Sequence, residues 1–144
     1  MKTKRLLFYV PLLLALMLGA VGCSSDDDED NKATLCNTWV LVSYGNESNE
    51  VLKEAEGYYY EITFLADNSY SGQAYYNKMW GEYNCSEKRI TISRPFLTES
   101  LVEGFDPDKF FKEHLSDVST YSVSDTELRL YYSKDEYFKF RIKK

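Results

Sequence analysis

Residues 58–76 read YYYEITFLADNSYSGQAYY, and this stretch decides the fold class. Tyr58, Tyr60, Ile62 and Phe64 recur at every second position, so they share one face of a strand. Ala66-Asp67-Asn68-Ser69 interrupts the alternation. Asp and Asn tolerate the left-handed conformations that a tight hairpin needs. Tyr70 to Tyr76 then returns as a second strand. Aromatic and β-branched richness of this kind favours sheet.

The same period continues on both sides. Upstream, Thr38–Tyr44 (TWVLVSY) alternates Trp39, Leu41 and Ser43 against Val40, Val42 and Tyr44, and reads as a strand. Gly45 to Glu56 is polar and charged, a loop with room for a local helix. Downstream, Asn77-Lys78 turns, Met79 to Tyr83 is a strand, Asn84 to Lys88 is polar, and Arg89–Ser93 (RITIS) is a further strand. The period then changes. Asp106 to Leu115 predicts a short helix: Asp106 suits the N-cap, Pro107 the first helical position and Asp108 the first turn. Phe111 and Leu115 are four apart and share a face, with Phe110 beside them. Strand signals resume at Val118–Val123, Glu127–Tyr132 and Tyr137–Ile142, with turns at Ser124-Asp125 and Lys134-Asp135.

The expectation is an all-β domain with one short helix: an antiparallel meander of about eight strands, the helix lying between strands five and six. Closing such a sheet removes its exposed edges, so a small barrel or half-barrel is the natural solution. The inward positions would be Trp39, Leu41, Ile62, Phe64, Ile90, Ile92, Leu128 and Leu130. Residues of that size argue against an empty cup.

The N-terminus predicts an address. Lys2, Lys4 and Arg5 precede an uncharged apolar run, Leu6 to Val21, of secretory length and short for a membrane span. Pro11 within the run also argues against a permanent spanning helix. Ala20-Val21-Gly22-Cys23 resembles a lipoprotein signal peptidase site, with Ala20 where that pattern prefers leucine. The resemblance implies a signal peptide at 1–22, lipidation of Cys23, a tether at 23–33 and a folded domain at 34–144. Asp26-Asp27-Asp28-Glu29-Asp30 is a block of like charge, expected to stay solvated and extended. It resembles the acidic export signal of Bacteroidota-type surface lipoproteins. That implies the outer membrane, and the cell surface, of a Gram-negative bacterium.

Composition narrows the partners. Residues 34–144 hold 18 acidic and 13 basic residues, a net charge of −5. No basic stripe exists, so nucleic acid is not expected as a partner. Anionic lipid would repel the domain, so the covalent lipid must hold it at the membrane. The domain is expected to be monomeric. Cys36 and Cys85 form an even pair that can oxidise outside the cytoplasm, closing a loop of ~50 residues worth ~4 kcal/mol; two separate thiols are the alternative. With a single histidine and no C-x-x-C or H-x-x-x-H spacing, no metal or other cofactor is expected.

No catalytic residue is assigned. His114, the single histidine, has no nucleophile or carboxylate constellation attached to it in the sequence. Carboxylate pairs such as Glu54 with Glu56, or Asp106 with Asp108, read as loop acids and helix-capping residues. The aromatic residues are the binding candidates. Tyr58, Tyr59 and Tyr60 are consecutive, so at least one ring faces away from the core. Tyr75-Tyr76 and Tyr131-Tyr132 repeat the pattern, and Trp80 lies close in sequence. Exposed rings suit sugar faces or a protein partner.

The assembled pattern resembles a known family. Leu35-Cys36-Asn37-Thr38-Trp39-Val40-Leu41-Val42-Ser43 is similar to the opening of the META domain family and of lipocalin-like bacterial lipoproteins. Ile62-Thr63-Phe64 before Asp67-Asn68-Ser69-Tyr70-Ser71-Gly72, then Gly81-Glu82-Tyr83, resembles the family hairpin. Phe110-Phe111 to Leu115, Val118, Tyr121 and TELRLYY resemble its closing segment. Gln73-Ala74 stands after Gly72 where the META pattern carries Cys-Asn. The resemblance implies an extracytoplasmic β domain. The expected function is non-enzymatic, in binding or envelope integrity, with an envelope protein, a glycan or a small hydrophobic ligand as partner. The alternatives are an inhibitor or immunity protein that captures a cationic enzyme or toxin, and a hydrophobic-ligand carrier.

Overall fold

A computed structural model describes residues 25–52, 59–98 and 109–144. The chain forms α1 (Ser25–Leu35), β1 (Thr38–Asn46), β2 (Asn49–Leu52), β3 (Glu61–Phe64), β4 (Ser69–Gln73), β5 (Lys78–Ser86), β6 (Arg89–Ile92), β7 (Phe96–Leu97), α2 (Lys109–Leu115), β8 (Thr120–Val123), β9 (Glu127–Tyr131) and β10 (Tyr137–Ile142). All pairings are antiparallel, in the order β10-β9-β8-β6-β5-β4-β3-β1, and β10 pairs again with β1. The sheet is therefore a closed eight-stranded barrel.

Two of its eight positions are shared. The edge of β1 that faces β3 at Thr38–Val40 is taken over by β2 at Ser43–Asn46. Likewise β5 meets β7 at Met79–Trp80 and β6 at Tyr83–Ser86. The short strands β2 and β7 were not legible as strands. Cys85, in the polar stretch expected to follow the strand, lies within β5, which runs past Tyr83 to Ser86. The helix falls between the fifth and sixth barrel strands, as the change of period predicts.

The expected inward set is buried throughout: Trp39, Leu41, Ile62, Phe64, Ile90, Ile92, Leu128 and Leu130 are each 5% exposed or less. Tyr60, Tyr70, Met79, Tyr83, Tyr121, Phe138 and Phe140 fill the remaining interior. Buried polar tips find backbone partners: Tyr70 Oη donates to Ser93 O at 2.8 Å and Trp39 Nε1 to Leu35 O at 2.9 Å. Asn68 adopts φ 68° in the β3–β4 turn, the left-handed conformation expected there.

The helices close opposite ends. α2 inserts Phe111 and Leu115 into the core, and Phe110 packs on Tyr44, Tyr132 and Phe138. α1 corrects an expectation. The acidic stretch that was to be extended forms a helix, and its last residue, Leu35, is fully buried beneath the barrel. Acidic residues are compatible with the first half of a helix, whose free N–H groups favour negative charge. Burial of Leu35 then supplies the tertiary anchor that a short polar helix lacks. Lys32 Nζ donates to Asn68 Oδ1 at 2.7 Å, tying α1 to the β3–β4 turn.

Candidate functional site

The aromatic residues singled out from sequence divide among five places. Tyr60 points inward, 1% exposed, with its ring 5.3 Å from that of Phe111. Its neighbour Tyr59 points out and is 45% exposed, as the alternation requires. The Tyr59 hydroxyl donates to the Glu61 carboxylate, which also accepts from Lys143 Nζ. Burial pulls the Glu61 carboxyl up, but the bonds from Lys143 and Tyr59 outweigh it and hold the group below its ordinary 4.5. Donation to that carboxylate raises the Tyr59 phenol. Tyr58 lies outside the described residues, as do Cys23, Glu54, Glu56, Asp106 and Asp108.

Tyr132 belongs to the closure around α2. Its ring lies 4.7 Å from Phe138 and 5.2 Å from His114, and burial pushes its phenol up to about 12. His114 Nδ1 sits 3.1 Å from Asp117 Oδ2, a carboxylate partner that sequence spacing did not reveal. The imidazole also packs edge-on against Phe110 at 4.4 Å. These contacts make His114 part of the aromatic plug.

Tyr131 lines an open groove of about 550 Å³ between the β1–β2 hairpin and the β9–β10 turn. Its ring meets Tyr137 edge-on at 5.5 Å, and the Arg129 guanidinium lies 4.9 Å above the Tyr137 ring. Arg129 also bonds Glu127 at 2.7 Å and faces Glu47 at 3.8 Å. Beside the groove, Glu50 accepts from Ser43 Oγ at 2.6 Å and from Lys139 Nζ at 3.3 Å. The Ser43 bond is the main cause that lowers the Glu50 carboxyl. Arg129 and Lys139 are thus engaged by Glu47, Glu127 and Glu50.

The fourth place is an exposed aromatic pair. Trp80 on β5 and Phe96 on β7 are register partners, with nearly parallel rings (19°) and centroids 6.2 Å apart. They remain 46% and 65% exposed. Sequence reasoning found Trp80 and missed Phe96. Phe96 follows Pro95 in a stretch without periodicity, and only the pairing of β7 with β5 brings the rings together. Tyr75 and Tyr76, expected at the end of the strand from Tyr70, lie instead in the β4–β5 connection, because β4 ends at Gln73; there they form a separate edge-to-face pair at 4.4 Å.

No disulfide joins Cys36 and Cys85. Cys36 Sγ instead lies 3.5 Å from Tyr83 Oη, which donates to Leu65 O at 2.8 Å. Burial, followed by the Cys36 contact, drives the Tyr83 phenol far above its ordinary 10.0. Among the described residues, no cluster of three or more His, Cys, Asp or Glu side chains could hold a metal ion. No described helix is long and apolar enough to cross a membrane.

A family model described as the META domain matches residues 33–144. Among solved structures, the chain is similar to a DUF4847 family protein from Bacteroides vulgatus, at 17% identity and a TM-score of 0.62, over 78% of this chain and 96% of that one. It is also similar to a protein from Burkholderia xenovorans, at 15% identity and a TM-score of 0.61, over 78% of this chain and 88% of that one. At these identities the likeness shows the fold. No curated protein matches the chain.

Proposed function

Because this chain belongs to the META domain family, we propose that it is a non-enzymatic envelope lipoprotein that binds its partner on the outside of the barrel. One observation carries this reading: the barrel interior is packed with side chains, whereas large aromatic rings stand exposed on the exterior. A ligand pocket needs about 300 Å³ or more of space, which the rings of Trp39, Tyr60, Phe64, Phe138 and Phe140 occupy instead. That weighs against the hydrophobic-ligand carrier. Capture of a cationic enzyme would favour uncompensated carboxylates, and those of Glu47, Glu50, Glu61 and Glu127 are engaged by Arg or Lys of the same chain. Cys23 carries the lipid, and the anchor presents the domain from the outer membrane.

The experiment is photo-crosslinking in intact cells from outward positions 80, 96 and 131, with inward position 62 as control. Adducts from outward positions alone support the reading. A folded protein that gives no adduct from any outward position overturns it. Cys23→Ala tests the anchor separately: the variant is expected to lose labelled palmitate and leave the membrane fraction.

A further inference from the structure

Trp80 and Phe96 end a row of outward side chains that follows the curve of the barrel wall. Register pairs Phe96 with Trp80, Trp80 with Ser71, Ser71 with Thr63, and Thr63 with Thr38. The row crosses β7, β5, β4, β3 and β1, so it runs perpendicular to the strands. At about 4.8 Å per strand it spans roughly 19 Å. One end is aromatic and the rest carries hydroxyls, with Thr38 Oγ1 and Thr63 Oγ1 2.9 Å apart.

At a centroid distance of 6.2 Å the two rings are slid past each other, which leaves ring surface open on both. Their exposed fractions amount to roughly 200–250 Å² of aromatic surface. A stable protein interface needs about 800 Å² from each partner. The two rings supply under a third of that, which suits a small ligand better than a protein partner. The charged neighbours on the same face are Lys78 and Glu82 on β5, one of each sign, and Glu61 on β3, which is paired with Lys143, so these charges balance. A ligand matched to this surface is neutral and elongated, and it bends to follow the barrel wall. It is apolar on its faces and rich in hydroxyls along its edges.

We propose that this row binds a neutral oligosaccharide: the C–H face of one pyranose lies on Trp80 and Phe96, and the next units hydrogen-bond Ser71, Thr63 and Thr38. The dispersion contact of ring on ring holds the sugar, and the hydroxyl row sets its direction across the strands. The inference rests on the reading that the exterior of the barrel carries the function, and it names the ligand class.

The test is isothermal titration of the lipid-anchored protein, extracted in a zwitterionic detergent without a sugar headgroup. The probes are cellohexaose, maltohexaose, laminarihexaose, mannohexaose and xylohexaose, with oligogalacturonate as an anionic control. At least one neutral hexasaccharide is expected to bind in preference to the anionic one. Trp80→Ala and Phe96→Ala are each expected to weaken it by about tenfold or more, with Trp80→Phe recovering part of the loss. Val51→Ala, an exposed apolar side chain on β2 outside the row, is expected to leave binding unchanged. Both ring truncations lie on the surface, and unchanged melting temperatures would confirm that they fold. The proposal is overturned if none of the five neutral probes binds, or if binding survives both truncations. It is also overturned if the anionic probe binds as tightly as the neutral ones, or if sedimentation shows a dimer that Trp80→Ala dissolves. Failure of the titrations with persistent crosslinking from position 80 removes the glycan and keeps exterior binding. Failure of both removes both.

Discussion

Tyr70 lies directly over Gly81. The two are register partners across β4 and β5, and a Cβ at position 81 would meet the Tyr70 ring at 2.7 Å and Ser93 Oγ at 2.6 Å. The glycine of the Gly81-Glu82-Tyr83 motif thus exists to let a buried ring cross the neighbouring strand. Gly81→Ala is expected to destabilise the fold by about 1–3 kcal/mol, because the ring or the strand must shift. Urea denaturation would show it as a lower midpoint with an unchanged slope. A variant as stable as the wild type would mean that Tyr70 repacks freely.

Leu35 makes α1 part of the domain. It is fully buried, and its carbonyl accepts the Trp39 indole N–H. Leu35→Ala is expected to cost about 2–5 kcal/mol by leaving a cavity under the barrel. Hydrogen exchange should then rise along residues 30–35 before the β1 amides open. Equal protection in the variant would show that α1 contributes nothing to the closure.

The α2 plug separates packing from chemistry. Phe111 is 3% exposed and meets Tyr60, Phe138 and Phe140. Phe111→Ala is expected to cost about 3–5 kcal/mol. His114, with a side chain 35% exposed, meets Asp117 by a surface hydrogen bond and packs on Phe110 and Tyr132 at the rim, so His114→Ala should cost less, about 1–2 kcal/mol. Thermal denaturation of the two variants side by side reads the contrast.

Alkaline pH should unfold the domain in a defined window. Burial raises the Tyr70 phenol to about 12 from the ordinary 10.0, and Tyr132 likewise. Above pH 10 the unfolded chain loses these protons while the folded chain keeps them. Stability is therefore fully present below pH 10 and declines as pH rises toward 12. Tyr70→Phe is expected to be less stable at neutral pH, having lost the bond to Ser93, and to show a shallower decline across that window. An identical slope in both proteins would refute the assignment.

Cys36 is engaged with Tyr83 and no bridge to Cys85 forms. Alkylation of the denatured protein without reductant, read by intact mass, is expected to label both thiols. Resistance to alkylation that reductant relieves would instead show that the pair oxidises.

Much of this barrel is written locally. Alternation in Glu61–Phe64, Arg89–Ile92 and Glu127–Tyr131 places each inward residue without reference to any other strand, because the pleat has a period of two. Asp67-Asn68 marks a hairpin, since Asn68 takes φ 68° at little steric cost. Phe111 and Leu115 mark the buried face of α2 through their spacing alone. What the sequence by itself determined was thus the succession of the eight barrel strands, their eight expected inward residues and the place of α2. The tertiary structure alone decided the rest. β10 closes on β1 from nearly a hundred positions away, Leu35 draws an acidic stretch into a helix, and β7 brings Phe96 beside Trp80. Those outcomes depend on which surfaces meet across the barrel, and no local period encodes such meetings.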